Sequence, residues 1–360
     1  MYGFTPTDEQ SMLLEAISRY AKSDLRPAAH DAEESCQLSP KLVNKGWELG
    51  VLQASVPAQY AGFGERSAVT GILAAEALAF GDLAEALAVL TPSLFVTPLL
   101  LAGDETQKET HIPPVIASDW KPYTAALLEP SYDFDPNDLQ TVARPDGDEY
   151  VLDGIKTCVP YAAEAPALLI YAALEGATRA FIVPAKTGGL SVSDRIHLMS
   201  LNALPLYDLT LAGVRIPSAN LLPGDFAPIL AGMRVTSAAL AVGVARAAFE
   251  YARDYAKERD AFGVKIAQKQ AIAFMLAEMA TEIEGARLLT WEAAWKLDSA
   301  KPDAPTAAYF AVTAAADMAM MVTDRAVQIL GGHGYIRDHP VEMWMRNGRG
   351  FASLTGLAIV

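Results

Sequence analysis

Apolar residues recur at helical spacing in the first third of the chain. Four of them fall on one face of a predicted helix: Leu13, Leu14, Ile17 and Tyr20. Thr7 precedes this run and Gln10 follows three residues later, which is the capping-box pattern, so Thr7 is the predicted N-cap. Further Ala- and Leu-rich segments predict helices over residues 68–80 and 85–101, and Pro92 interrupts the second.

The pattern changes near Pro113 and Pro114. From residue 119 to about residue 225, short β-like runs are separated by Gly, Pro and Asp; they cover residues 150–152, 168–172, 180–183 and 206–211. Strands of this length at this spacing predict a small antiparallel barrel or sandwich.

Helical periodicity returns after Pro228. Long helices are predicted over residues 233–259, 268–297 and 306–330. At about 1.5 Å per residue such helices are nearly 40 Å long, and three of them predict a bundle. The fold class is therefore α+β, with an N-terminal helical domain (residues 1–118), a middle β domain (119–225) and a C-terminal helical bundle (226–360).

Composition and charge limit the classes of partner that the chain is expected to bind. Hydrophobic residues make up 52% of the chain, charged residues 20%, and the formal net charge is −15. Such a charge disfavours nucleic acid and anionic membrane surfaces. No run of about 18 apolar residues free of charges or breakers is evident, so no membrane span is expected. The two cysteines form no metal-ligand pattern, and the N-terminus carries no signal sequence, so we expect no metal and a cytoplasmic location.

Motifs in the last third carry a specific resemblance. Arg259-Asp260-Ala261-Phe262-Gly263 is followed by Gln270 and then by Gln328-Ile329-Leu330-Gly331-Gly332-His333-Gly334-Tyr335. In this order and spacing they resemble the C-terminal half of acyl-CoA dehydrogenases. Leu128-Glu129-Pro130 and Pro340-Val341-Glu342 extend the match over nearly the whole chain. The resemblance implies FAD as cofactor, acyl-CoA as substrate and an electron-transfer flavoprotein as partner.

Six residues of these motifs are candidate contacts to FAD: Arg259, Phe262, Gln270, Gln328, Gly331 and Gly332. Arg259 offers a planar fork to the pyrophosphate, and Phe262 offers an apolar surface. The amides of Gln270 and Gln328 suit the adenosine, and the glycine pair lets the backbone approach closely. The resemblance implies that these groups reach across a dimer interface to the neighbouring subunit's FAD.

The carboxylate that removes the substrate's α proton is missing from its family position. There the family has a Glu where this chain has Thr355, and a hydroxyl is too weak a base near neutral pH. In another branch the base lies on the first bundle helix, where this chain has Met233. Asp338 and Glu342 are nearby in sequence, but family members commonly carry acids without a catalytic role at these positions. The sequence therefore predicts no catalytic residue.

The contacts of the chain to its own FAD are also replaced. The Gly/Ser-rich loop of the family is replaced by residues 131–135, and the flavin-covering Trp-Ile-Thr segment by Cys158-Val159-Pro160. Pro160 has neither a side-chain donor nor a backbone N–H. Leu357 and Ile359 replace the polar residues that follow the catalytic Glu of the family.

The replaced motifs and the retained motifs serve the sites of different subunits. What a subunit supplies to its own site is replaced, and what it supplies to its neighbour is retained. The favoured interpretation is the non-catalytic member of a hetero-oligomeric acyl-CoA dehydrogenase, a dimer or tetramer in which a catalytic subunit shares FAD across the interface. Two alternatives are a self-sufficient flavoenzyme with a relocated base and a non-enzymatic acyl-CoA-binding protein.

Overall fold

The computed structural model describes residues 5–117 and 119–360. The N-terminal third is helical. Its α-helices are α1 (Asp8–Tyr20), α2 (Arg26–Ser35), α3 (Pro40–Trp47), α4 (Ala68–Gly81), α5 (Leu83–Leu90), α6 (Ser93–Ala102), α7 (Glu105–His111) and α8 (Pro113–Ile116).

Local sequence signals fix the helix ends in this region. The capping box is confirmed, because Thr7 Oγ1 accepts from the Gln10 backbone N–H at 3.2 Å and Gln10 Oε1 accepts from the Thr7 N–H at 3.0 Å. The predicted interruption at Pro92 is also confirmed. Helices α5 and α6 are separate there and bend by 48° relative to each other.

The middle of the chain forms a seven-stranded sheet. Its strands are β1 (Thr124–Ala126), β2 (Val142–Asp146), β3 (Glu149–Pro160), β4 (Ala167–Leu174), β5 (Ala177–Pro184), β6 (Leu190–Val192) and β7 (Leu206–Pro217). The strand order is β1-β4-β2-β3-β7-β6, and β5 pairs with β4. Most pairs are antiparallel, as predicted, but β1 pairs with β4 in parallel, and β2 touches β4 in parallel through Val142 and Ala173. The long excursion between β1 and β4 permits this parallel pairing.

The last third is a helical bundle. It contains α9 (Phe226–Glu258), α10 (Gln270–Asp298), α11 (Ala304–Leu330) and α12 (Val341–Gly348). The two-residue strands β8 (Asp260–Ala261) and β9 (Val264–Lys265) form a hairpin between α9 and α10. Helix α9 also packs on α4 so closely that a Cβ at Gly243 would lie 2.4 Å from the Glu76 carbonyl oxygen. The predicted fold class, a helical domain, a β domain and a helical bundle, is confirmed.

In the part of the chain that the structure describes, two helices are apolar and long enough to cross a membrane by length and composition: Phe226–Glu258 and Ala304–Tyr335. The expectation that no such segment exists is therefore wrong. The expectation fails because it required a run free of charges, whereas an alanine-rich helix with an occasional charged residue is still apolar enough on average. In the first helix 83% of the most apolar window is buried inside the fold, so neighbouring helices already cover it. In the second helix only 39% of the window is buried.

Candidate functional site

A cavity of about 740 Å³ lies between the bundle, the β domain and the segment that follows α12. Helices α9 and α11 form one wall, and residues 128–136 with Thr157 and Cys158 form the opposite wall. Residues 351–355 close a third side. The cavity thus collects the loops whose family motifs were replaced in this chain.

One acid of the cavity wall is already paired with a buried cation. Glu129 Oε1 lies 2.8 Å from Lys156 Nζ, and Lys156 is completely buried. Burial opposes the charge of Glu129, but Lys156 and the backbone N–H groups of Gln140 and Thr141 hold the pKa of Glu129 below its ordinary value. Glu129 is therefore an ionised structural acid with its lone pairs occupied, which makes it a poor proton acceptor.

The structure places Thr355 at the cavity, half-buried. Met233, the other family position for a base, is completely buried in the core. Neither Asp338 nor Glu342 lines the cavity, and the carboxylate of Glu342 accepts from Arg346 at 2.9 Å. The positions considered from the sequence therefore supply no free carboxylate to this cavity.

Asp317 is a cavity residue that no sequence motif indicates. It lies on α11, one turn after Thr313, and both line the cavity. Its only sequence signal was its spacing from Tyr309 and Thr313 on one helical face. Asp317 is exposed, and within residues 5–117 and 119–360 its side chain has no hydrogen-bond or ion-pair partner. It is the unengaged carboxylate of the described cavity wall.

A cationic side chain, that of Arg234, lines the same cavity. Arg234 of α9 lines the cavity, is half-buried, and lies with its guanidinium 5.1 Å from the centre of the Tyr309 ring. Burial lowers the pKa of Arg234 from its ordinary value, although Tyr309 and Asp135 favour the charged form. Among the described residues Arg234 forms no ion pair with a carboxylate, so its charge is available to a bound anion or a developing negative charge.

The segment at the family's flavin-covering position is irregular here. The β3–β7 register shifts between Lys156 and Val159, and Cys158 adopts a positive φ of 54°. Cys158 lines the cavity, and burial raises the pKa of its thiol. Pro160 is buried at the end of the strand and offers no donor. This edge of the cavity therefore presents a thiol that stays protonated and is only a weak hydrogen-bond donor.

Leu357 and Ile359 do not face the cavity. Their exposed fractions are 4% and 0%, and each packs into a hydrophobic cluster of the core. These two apolar side chains therefore anchor the last described residues in the core, and they do not contact a ligand in the cavity.

The six candidate FAD contacts lie at one end of the bundle. Arg259 ends α9, Gln270 begins α10, Gln328 lies in the last turn of α11, and Gly331 with Gly332 follows it. Phe262 sits at the tip of the hairpin, is 95% exposed and has a φ of 54°. Arg259, Gln270 and Gln328 are also exposed, and no described residue hydrogen-bonds or ion-pairs with their side chains. The site is a solvent-facing surface.

Two histidines fasten this surface to α9. His333 Nδ1 lies 2.8 Å from Tyr255 Oη, and His339 Nδ1 lies 2.7 Å from Tyr251 Oη. The two imidazole rings stack at 5.4 Å. The glycine turn at 331–332 is therefore held beside the C-terminal end of α9, near Arg259. A Cβ at Gly331 or Gly332 would meet no atom within 4 Å, which leaves the turn open to a ligand.

The two regions are far apart on one helix. Arg234 lines the cavity and Arg259 ends the same helix, so at the rise of an α-helix they are separated by about 38 Å. The exposed surface around Arg259 cannot contact a cofactor that occupies this chain's own cavity.

The surface around Arg259 and the cavity differ in how well they fit FAD. The surface around Arg259 fits a dinucleotide, because its cation and amides are free and its glycine turn is open. The cavity does not fit the flavin, because Cys158 presents only a weak thiol donor to it and residues 131–135 contribute the bulky side chains of Tyr132 and Phe134 to its wall.

Comparisons with known proteins agree with this architecture. Three family models match the chain: the N-terminal domain of acyl-CoA dehydrogenase over residues 7–119, the middle domain over 124–214 and the C-terminal domain over 227–357. "Probable acyl-CoA dehydrogenase YngJ" of Bacillus subtilis is 36% identical, covering 96% of this chain and 94% of that protein. The mitochondrial short-chain specific acyl-CoA dehydrogenase of Bos taurus is 34% identical, covering 95% and 85%.

A solved structure shows the same similarity in three dimensions. Butyryl-CoA dehydrogenase from Megasphaera elsdenii superposes with a TM-score of 0.89 at 30% identity, covering 99% of this chain and 96% of that chain.

Proposed function

This chain belongs to the acyl-CoA dehydrogenase family, and from that premise we propose that it is the non-catalytic subunit of a hetero-oligomeric, FAD-dependent acyl-CoA dehydrogenase. Members of this family bind FAD and dehydrogenate acyl-CoA. In the proposed complex a catalytic partner carries the base and the flavin-contacting residues. This chain completes the partner's cofactor site with Arg259, Phe262, Gln270, Gln328, Gly331 and Gly332.

One observation carries the proposal. The unpartnered dinucleotide surface around Arg259 lies about 38 Å along α9 from the cavity of its own chain. These residues can serve a cofactor only in another subunit. Because Thr355 leaves the family's base position without a carboxylate, the subunit that they serve is the one that performs the chemistry.

Exposed apolar residues give independent support for a partner. Large side chains on α10 and α11 remain uncovered: Phe274 is 59% exposed, Phe310 60% and Met320 48%. Apolar residues of this size, left uncovered on neighbouring helices, are typical of an interface with another protein. A subunit interface here also accounts for the apolar, half-covered character of α11.

The chemistry divides between the subunits. Bound FAD accepts a hydride from the substrate. The residues of this chain contribute binding: Arg259 neutralises the pyrophosphate, Phe262 covers part of the cofactor, and the open turn at Gly331 and Gly332 lets the backbone approach. An electron-transfer flavoprotein is the proposed acceptor of the electrons.

The test is co-expression of this chain with catalytic acyl-CoA dehydrogenases from the same genome. We expect the chain alone to be nearly colourless and the co-purified complex to carry one FAD per unlike pair. The measurement is the flavin-to-protein ratio with the subunit stoichiometry. A homomer that contains one FAD per chain and oxidises an acyl-CoA would overturn the proposal.

A second function is favoured by Asp317. As an unengaged carboxylate on the cavity wall, it is the candidate base of a self-sufficient enzyme. Such an enzyme would require a flavin-replete homomer whose turnover falls by orders of magnitude in the Asp317→Asn variant. Unchanged turnover in that variant would exclude Asp317 as the base.

A further inference from the structure

Two apolar side chains contribute to the wall of the 740 Å³ cavity where it adjoins a second void. Phe351, which is 5% exposed, and the half-buried Leu354 both line the cavity. They also line a second, separate void of about 20 Å³ on their other side. Phe351 and Leu354 therefore form a wall between an open cavity and a nearly filled apolar space.

The space behind the wall is lined mainly by apolar residues, with Ser237 and Asn347 as its polar lining residues, and the protein nearly fills it. Leucines from three parts of the fold surround it: Leu83 and Leu87 of α5, Leu201 from the loop before β7, and Leu240 of α9. Each is at most 3% exposed. A void of about 20 Å³ holds little more than one water-sized group, so no alkyl chain extends into it while the wall stands.

The wall is fixed at both ends. Upstream, the Leu354 backbone N–H donates to Gly350 O at 3.1 Å, and Gly350 follows α12 closely. Downstream, the Leu357 N–H donates to Leu354 O at 3.3 Å, and Ile359 is completely buried. Because its ends are anchored in the core, the segment cannot swing aside without exposing buried apolar surface.

We propose that Phe351 and Leu354 restrict the cavity of this chain to short-chain acyl thioesters. The inference rests on the proposed function only in taking acyl-CoA, the ligand class of the family, and it adds acyl-CoA binding in this chain's own cavity. The cavity wall outside the barrier supplies apolar contacts from Leu128, Leu230 and Val312. A short acyl group gains these contacts, and a longer one meets the barrier.

We expect the affinity for acyl-CoA to rise with acyl-chain length only until the acyl group reaches the wall. Each methylene that becomes buried contributes about 0.8 kcal/mol, or about fourfold in affinity. In the wild-type chain this gain stops at the wall. In a variant without the Leu354 side chain, the cavity and the void join, and the gain continues for further methylenes.

The experiment is calorimetric titration of the full chain with acetyl-, butyryl-, hexanoyl- and octanoyl-CoA. For the wild type we expect affinity to change less than about threefold from butyryl- to octanoyl-CoA. For Leu354→Ala we expect hexanoyl-CoA to bind about 16-fold more tightly than butyryl-CoA, since two methylenes enter the joined space. Phe351→Leu, a milder change, should show the same trend if the first variant does not fold.

Leu78→Ala is the matched control. Leu78 is completely buried in α4 and lines neither space, so this variant loses stability without changing the chain-length profile. Three results would overturn the inference: a wild-type affinity that keeps rising to octanoyl-CoA, variants with the wild-type profile, or no binding of any acyl-CoA. The titration measures binding without turnover, so a flavin-replete, active homomer that keeps the expected chain-length profile would contradict the proposed function alone.

Discussion

Lys156 Nζ and Glu129 Oε1 form an ion pair of 2.8 Å in which the side chains are 0% and 4% exposed. Glu129 belongs to the motif that opens the cavity wall, and Lys156 lies on β3 just before its irregular end. Burial lowers the pKa of Lys156 to about 8 although Glu129 favours its charged form. The pair therefore connects the β domain to the cavity, and neither charge can be removed alone without leaving the other unpaired.

We expect Lys156→Met to destabilise the protein by about 3–5 kcal/mol at pH 7, because it leaves the Glu129 carboxylate buried and unpaired. The double variant Glu129→Gln with Lys156→Met should recover much of this loss, since no charge is then left in the interior. The measurement is the free energy of unfolding from urea denaturation. Equal stabilities of the single and double variants would contradict this account.

The same pair predicts a response to acid. The folded pKa of Glu129 lies below its ordinary value of 4.5, so its contribution to stability is present above pH 4.5 and is lost as pH falls through the folded pKa. In Lys156→Met the carboxyl takes up a proton more readily, so the stability difference between this variant and the wild type should shrink as pH falls from 7 towards 4. A constant difference over this range would be inconsistent with an ionised Glu129.

Arg259→Ala should lower flavin retention in the mixed complex by roughly ten- to a hundredfold in affinity, since a charge-assisted contact to pyrophosphate contributes about 1.5–3 kcal/mol. Arg259→Lys should rescue only part of this loss, because an ammonium cannot reproduce the planar fork. The measurement is the flavin-to-protein ratio of the co-purified complex, read beside its thermal midpoint after FAD removal.

Lys257→Ala is the control for that prediction. Lys257 is an exposed cation in the same turn of α9, with its Nζ 3.8 Å from Asp254, and it is not one of the six candidate contacts. The Lys257→Ala variant should leave flavin retention unchanged. If both variants lose flavin equally, the effect reflects general surface charge, and the assignment of Arg259 fails.

Thr355→Glu should not restore dehydrogenation to the chain alone. A base is useful only when the hydride acceptor is positioned beside the same substrate, and positioning contributes several kcal/mol. In the proposed function the contacts that hold the acceptor come from the catalytic partner, because Cys158 and Pro160 occupy the flavin-covering position in this chain. Stopped-flow or steady-state assays with short acyl-CoA thioesters should show no turnover, and turnover by this single variant would mean that its own cofactor site is intact.

Glu85 predicts a second pH effect. It is 4% exposed on α5, and burial together with nearby Asp82 raises its pKa to about 8. Between pH 4.5 and 8 the folded state keeps a proton that the unfolded state has lost, so the contribution of Glu85 to stability falls as pH rises through this window. Glu85→Gln should be more stable than the wild type at pH 8, by on the order of a few kcal/mol, and about equally stable at pH 4.5. A stability difference that is the same at both pH values would contradict a raised pKa.

Short-range patterns determined much of this protein in advance. The capping box at Thr7, the break at Pro92 and the long bundle helices follow from interactions within a few residues, so they are readable from the sequence. The absence of a carboxylate at Thr355 and Met233 is likewise a property of single positions within a recognisable motif. The fold class follows from the order of these elements.

The tertiary structure alone decided which residues meet. The parallel pairing of β1 with β4, the core positions of Leu357 and Ile359, and the place of Asp317 on the cavity wall join segments far apart in sequence. The wall of Phe351 and Leu354 exists only because α5 and α9 pack behind it. Periodicity predicts which face of an element is apolar, but which partner covers that face depends on long-range packing, and local sequence does not encode this directly.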